Sequence, residues 1–141
     1  MVVILVALGL AAFWYGKDAE APAPESDSLI VLTTPKEGEV IASPLTLRGY
    51  ARGFWFFEGD SPVVLVDWDG RIIAESYITA RPDEGGTWMT EDFVPFEGVI
   101  EFEKPDTFAD FAKRGAIILQ KDNPSGISEY NDALEVQILF E

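Results

Sequence analysis

Apolar and polar residues alternate with a period of two along several short stretches of the chain. In the clearest stretch, Leu45 and Leu47 alternate with Thr46 and Arg48. Because successive side chains of a strand point to opposite faces, this pattern predicts a strand with its leucines in the core. Glycine weakens a strand interior, so the glycines at 49 and 53 each predict a bulge or a close approach of two backbones.

Seven such stretches predict strands, and turn residues separate most of them. The stretch from Pro62 to Trp68 is almost wholly apolar, which predicts burial on both faces. Asp69-Gly70 then gives a strong hairpin signal toward its partner strand. The predicted strands are 29–33, 45–51, 62–68, 71–79, 96–103, 116–121 and 134–140.

Helical signals are almost absent from this part of the chain. We expect one short helical turn, capped by Asp106, carrying Phe108 and Phe111, and ended by Gly115. Strands separated by turns at short intervals indicate an all-β fold, here an immunoglobulin-like antiparallel β-sandwich. The Cys–Trp–Cys core of antibody domains is absent because the chain has no Cys.

The first 16 residues are continuously apolar or small. As a helix they would span about 24 Å, which is short of a bilayer core of about 30 Å. The segment is read either as the apolar core of a signal peptide, with weak cleavage sites at Ala19-Glu20-Ala21 and Ala21-Pro22-Ala23, or as an uncleaved anchor helix. We favour the anchor because Phe13-Trp14-Tyr15 resembles an interfacial aromatic belt. No Lys or Arg precedes the segment, so we expect the natural start to lie upstream.

Residues 17–28 alternate Ala and Pro with acids and predict an extended linker. The predicted organisation is therefore an anchor at 1–16, a linker at 17–28 and a β-sandwich domain at 29–141. This arrangement predicts a single-pass cell-membrane protein whose folded domain is extracytoplasmic.

Charge and composition argue against several classes of function. The chain carries 10 basic and 25 acidic residues, for a net charge of -15, which repels nucleic acid and anionic lipid surfaces. It has no Cys and no His, so thiolate metal sites, Cys nucleophiles and a Ser–His–Asp triad cannot be built from it. We expect no enzymatic activity and no cofactor.

A longer motif carries a resemblance to a known family. It runs Pro35-x-x-Gly38-x-Val40-x-x-Ser43-Pro44-Leu45-x-Leu47-x-Gly49-x-Ala51-x-Gly53-x-Trp55-Phe56-Phe57-Glu58. Asp69-Gly70, Trp88, Phe96, Phe102 and Asn123-x-Ser125-Gly126 fit the same pattern. Across Leu29 to Phe140 the chain resembles the immunoglobulin-like domain of bacterial spore-germination proteins, the one associated with the GerM-type domain. The resemblance implies a non-enzymatic, extracytoplasmic sandwich and supplies no ligand or catalytic residue.

The aromatic run is the first candidate interaction site. Phe54, Trp55, Phe56 and Phe57, with Glu58 beside them, either form an exposed patch or place rings in the core. In the core interpretation, Trp55 and Phe57 close the end of the sandwich. Trp68 and Trp88 would extend an exposed platform, although a core role is the simpler interpretation of each.

Carboxylates form the other candidates. Asp67 and Asp69 flank Trp68, while Asp122 and Asn123 lie near Glu129, Asn131 and Asp132, so both groups are weak Ca²⁺ candidates. Neither has the full ligand spacing of a calcium loop. Paired carboxylates such as Glu58 and Asp60 also occur in glycosidases, but chance proximity is expected in so acidic a chain.

We therefore expect a membrane-tethered structural or interaction module whose partner is an unknown envelope protein or glycan. The alternative is a carbohydrate- or peptidoglycan-binding module that uses an aromatic patch around Trp55.

Overall fold

The computed structural model describes residues 27–141, which fold into eight strands and three short 3-10 turns. The strands are β1 (Ile30–Thr34), β2 (Val40–Ile41), β3 (Leu45–Arg52), β4 (Asp60–Val66), β5 (Ile72–Ala80), β6 (Phe93–Ile100), β7 (Arg114–Gln120) and β8 (Ala133–Phe140). The predicted anchor and most of the predicted linker lie outside the described residues. Between 27 and 141, no helix has the length and apolar character needed to cross a membrane.

The strands form one continuous sheet rather than the two separate sheets expected. Their order is β1-β3-β6-β5-β4-β7-β8-β2, and all neighbours but β2 and β8 are antiparallel. Strand β5 joins the two halves because it pairs with β4 along most of its length and with β6 only at Ile78–Ala80. The sheet curls until β1 approaches β8, which gives the all-β, immunoglobulin-like arrangement.

The sequence pattern did not predict the eighth strand, β2. It contains only Val40 and Ile41, which pair in parallel with Leu139 and Phe140 at the end of β8. Two residues cannot display a period of two, so no alternation signals this strand. The chain reaches it between two cis peptide bonds, Thr34-Pro35 and Ser43-Pro44.

The core lies inside the curl and draws on every strand. Leu47, Leu65, Ile78, Ile100, Ile117 and Ile138 are all essentially inaccessible to solvent. The prediction that the apolar stretch of β4 is buried on both faces is confirmed. Val63 and Leu65 belong to the main core, whereas Val64 and Val66 form a smaller cluster with Ala116 on the outer face.

Close backbone approach explains the two glycines that interrupt the motif, as predicted. A Cβ at Gly49 would overlap the carbonyl oxygen of Val31 and the ring of Phe96. A Cβ at Gly53 would overlap carbonyl oxygens in the loop that follows β5. Both positions therefore need a residue without a side chain.

Several sequence expectations were displaced along the chain. The strand predicted at 62–68 spans Asp60–Val66, so Trp68 lies beyond its end. The strand predicted at 96–103 begins at Phe93 and ends at Ile100. Phe102 lies beyond it and packs edge-on against Phe140, with ring centroids 5.9 Å apart. The helical turn spans Asp110–Lys113 and has no side-chain cap, so the prediction that Asp106 caps it was wrong.

Candidate functional site

The aromatic run presents two of its four rings to solvent. After β3 the chain enters a 3-10 turn at Gly53–Trp55 instead of remaining extended, so the strict alternation of faces is lost. Trp55 and Phe56 are 1% and 5% exposed, whereas Phe54 and Phe57 are 46% and 47% exposed. Burial of Trp55 agrees with the core interpretation, but Phe56 rather than Phe57 is the second buried ring.

This burial corrects the predicted interaction patch. Only Phe54, Phe57 and Glu58 remain at the surface, and Trp55 cannot stack on a ligand. The ammonium of Lys121 lies 5.6 Å from the centre of the Phe54 ring. The indole Nε1 of Trp55 is buried and has no hydrogen-bond acceptor within residues 27–141.

Glu58 lies in a tight two-residue turn that leads into β4. Phe57 and Asp60 exchange backbone hydrogen bonds of 2.9 and 3.1 Å around Glu58-Gly59, which have φ angles of 53° and 83°. Positive φ at both central positions is typical of a type I′ hairpin turn. Glu58 therefore contributes to the turn through its backbone conformation.

Asp67 and Asp69 lie in the hairpin between β4 and β5, as the Asp69-Gly70 signal predicted. The Asp67 Oδ1 accepts hydrogen bonds of 2.9 Å from the backbone amides of Asp69 and Arg71. Asp69 in turn forms an exposed ion pair with Arg71 at 3.5 Å. These contacts give the two carboxylates a local role in shaping the turn.

Asp122 and Asn123 lie at the opposite end of the domain, beside an open cleft of about 530 Å³. The Asn123 amide donates to the Ile127 carbonyl and to Asn131 Oδ1, both at 2.8 Å. Its Oδ1 accepts a hydrogen bond from Ser125. The side chain thus holds a loop together. The portion of the chain from 27 onward has no cluster of three or more acidic side chains arranged to hold a metal ion.

Within residues 27–141, a second group of exposed aromatic rings joins Trp68 to Phe108 and Phe111. The ring centroid of Trp68 is 4.8 Å from that of Phe111 and 6.4 Å from that of Phe108, and all three pairs meet edge-on. The three residues are 45%, 64% and 48% exposed. We name these three residues the Trp68 cluster.

The expected core role of Trp68 was wrong, because the residue is 45% exposed and belongs to neither buried cluster. Its contact with the two phenylalanines was not predicted. The spacing of Phe108 and Phe111 in an expected helical turn was the available signal. Trp68 lies 40 positions before Phe108, and only the pairing of β4 with β7 brings them together.

A groove of about 350 Å³ adjoins the Trp68 cluster. Val66 and Ala116, which are register partners on β4 and β7, supply apolar side chains to its lining. Its charged lining residues are two acids, Asp67 and Glu135, and one base, Arg114. The groove therefore has apolar side chains in its lining and one more acid than base.

The Trp68 cluster and the point where the chain enters the domain lie at opposite ends of the sheet. The Leu29 carbonyl accepts a hydrogen bond from the Arg52 amide, at the last residue of β3. Strand registers place that end beside the first residues of β4 and β6, whereas Trp68 follows the last residue of β4. The seven residues of β4 separate the two ends by about 20 Å.

Comparison with known proteins identifies the domain. The family described as the immunoglobulin-like domain of bacterial spore germination matches residues 29–112, which is more than half of the chain. The protein belongs to this family. The match confirms the resemblance drawn from the Pro35–Glu58 motif. No curated protein and no solved structure matches the chain.

The residues matched by the family, 29–112, include Trp68, Phe108 and Phe111 but end before β7 and β8. One side of the groove is therefore built from matched residues. Arg114, Ala116 and Glu135, which complete it, lie after the matched part of the chain.

Proposed function

We propose that the protein is a non-catalytic, extracytoplasmic structural or interaction module of a bacterial cell envelope, tethered to the membrane through residues 1–16. Family membership is the observation that carries this proposal, since immunoglobulin-like domains of this kind are generally non-catalytic. The apolar segment and the Pro-rich acidic linker that precede the domain support tethering.

The composition and the surface also support an interaction role over catalysis. The chain has no His or Cys to act as a general base or nucleophile near neutral pH. The exposed Trp68 cluster instead offers area for contact with another macromolecule. A glycan-binding role centred on Trp55 is not supported, because that ring is buried.

Cell fractionation combined with thiol labelling tests the location. The chain has no Cys, so Tyr130→Cys introduces a single reactive thiol at an exposed position. We expect the protein to remain in the membrane fraction after a high-salt wash and to be released by detergent. The thiol should react with a membrane-impermeant maleimide in intact cells or spheroplasts.

The matched control is Val63→Cys, whose thiol lies in the core and should react only after denaturation. A protein found in the cytosol, or a Tyr130→Cys thiol that reacts only after the cells are lysed, would refute the proposal.

A further inference from the structure

The Trp68 cluster is an ordered apolar surface rather than three separate exposed side chains. Each ring contacts the other two edge-on, which holds all three in place. The cluster continues into a groove that includes the outer-face residues Val66 and Ala116. Exposed aromatic area beside an apolar groove is typical of the centre of a protein interface.

The charges around this surface define what can occupy it. Asp67 and Glu135 line the groove, and only Arg114 opposes them within it. Two bases close to the rings in sequence are already paired, Arg71 with Asp69 and Lys113 with Asp110, each at 3.5 Å. The lining therefore carries one more acid than base, and an occupant with a basic residue gains attraction from this excess and from the net charge of -15.

Three other occupants fit this chemistry poorly. A second copy also carries a net charge of -15, so its approach is repelled. Anionic lipid is repelled for the same reason. Residues 1–16 of this chain are apolar, but the stretch that follows them, residues 17–28, carries four acids against the single base Lys17 and is repelled by an acidic lining.

We infer that the Trp68 cluster and its groove dock a second protein, which presents an apolar side chain flanked by Lys or Arg. The inference rests on the proposed function and names the surface and the partner chemistry of that interaction. The surface lies at the end of the domain opposite to the point where the chain enters. A tether at that point would leave the Trp68 cluster facing away from the membrane and accessible.

Site-specific photocrosslinking in the host cell tests this inference. A benzoylphenylalanine photoprobe replaces Phe108 in the full-length protein, and a second version carries the same probe at Tyr130. Both positions are exposed, and they lie at opposite ends of the domain. We expect the probe at 108 to give one adduct with a different protein at more than about fivefold the yield at 130.

The adduct must also show the predicted chemistry. Mass spectrometry should place the crosslink in a partner segment that has an apolar side chain next to Lys or Arg. Binding of the purified partner should weaken at least tenfold with Trp68→Ser or Phe111→Ser, and should weaken with rising salt. Phe54→Ser, which removes an equally exposed ring at the other end, should leave binding unchanged. Unaltered thermal unfolding of each variant shows that the domain remains folded.

Several outcomes would overturn the inference. One is an adduct with a second copy, with residues 1–26 or with lipid alone. The others are equal yields at both probe positions, no adduct at either position, and a partner segment without basic residues. Fractionation of the same cultures separates this failure from failure of the proposed function. A membrane-bound protein without the adduct refutes the docking surface alone, whereas a cytosolic protein refutes the proposed function.

Discussion

At the scale of single residues, Glu58 is unusual because it is the one non-glycine residue between 27 and 141 with a positive φ angle. An L-residue pays for the left-handed conformation, since its Cβ approaches the following carbonyl oxygen. Asn tolerates this conformation and is favoured before Gly in type I′ turns. The turn that leads into β4 is therefore held in a conformation that Glu itself does not favour.

We expect Glu58→Asn to raise the free energy of unfolding by about 1 kcal/mol. Urea denaturation monitored by circular dichroism measures the change. Glu103→Asn is the matched control, because it removes the same charge at an exposed position where φ is negative. Equal effects of the two substitutions would show that charge, and not backbone conformation, causes the stabilisation.

A substitution at Gly49 tests the close contact among β1, β3 and β6. A methyl group at this position would overlap the backbone oxygen of Val31, which cannot move without breaking the pairing of β1. We expect Gly49→Ala to lower the free energy of unfolding by about 3 kcal/mol.

Gly70→Ala is the comparison for this prediction, because no atom lies within 4 Å of its added Cβ and only its φ of 76° is unfavourable. It should cost about 1 kcal/mol. A smaller loss for Gly49→Ala than for Gly70→Ala in urea denaturation would contradict the close contact.

At the scale of elements, strands with a clear alternation or a clear apolar run were predictable from the sequence. Elements such as β2 were not, because they depend on partners that are distant in the sequence. The apolar run of β4 and the Asp69-Gly70 hairpin were read from local sequence because both signals are local. Strand β2 was not, since its two residues are held in place by the end of β8. The alternation that continues through Glu103 could not show that the chain leaves the sheet after Ile100.

The candidate site was less predictable than the fold because it depends on contacts between residues that are far apart in the sequence. Burial of Trp55 and Phe56 depends on a 3-10 turn that interrupts the extended chain. The Trp68 cluster depends on a register between β4 and β7 that no local pattern specifies. The motif predicted the family, but it did not predict which of its rings face solvent.

The two faces of β4 can be compared with one isosteric substitution. Val63 is fully buried in the main core, whereas Val64 belongs to the smaller outer cluster. Threonine keeps the shape of valine but buries a hydroxyl group. We expect Val63→Thr to cost about 2 kcal/mol of unfolding free energy.

Val64→Thr should cost less than about 1 kcal/mol, because its hydroxyl lies closer to solvent. Thermal or urea denaturation of the two variants measures the difference. Similar losses for both would mean that the outer cluster is as well sealed from water as the core.

At the scale of the whole molecule, one curled sheet surrounds one core, and its two ends differ in chemistry. The chain enters at the end that carries Phe54 and the Asn123 loop. The other end carries the Trp68 cluster. Because β5 connects the two halves of the sheet, the ends belong to one continuous body. The domain therefore separates the point where the chain enters from the proposed docking surface.

The net charge of -15 acts on this body as a whole. Between residues 27 and 141, surface ion pairs such as Arg48 with Glu97 at 3.8 Å are exposed and weak, so they offset little of the excess of 25 acids over 10 bases. Folding brings these acids together. Raising NaCl from about 0.01 to 0.15 M shortens the screening length from about 30 to 8 Å and should relieve the repulsion.

We expect this change in salt to raise the midpoint of thermal unfolding by about 4 °C, equivalent to about 1 kcal/mol. The control is a triple variant, Glu37→Gln, Glu39→Gln and Glu84→Gln, which neutralises three exposed acids and reduces the net charge from -15 to -12. Its midpoint should be higher at low salt and should rise less as salt is added. The explanation fails if both proteins respond equally, because the response would then not arise from repulsion among the acids. The same repulsion would keep copies of the domain apart while leaving its acidic surface free to attract a basic partner.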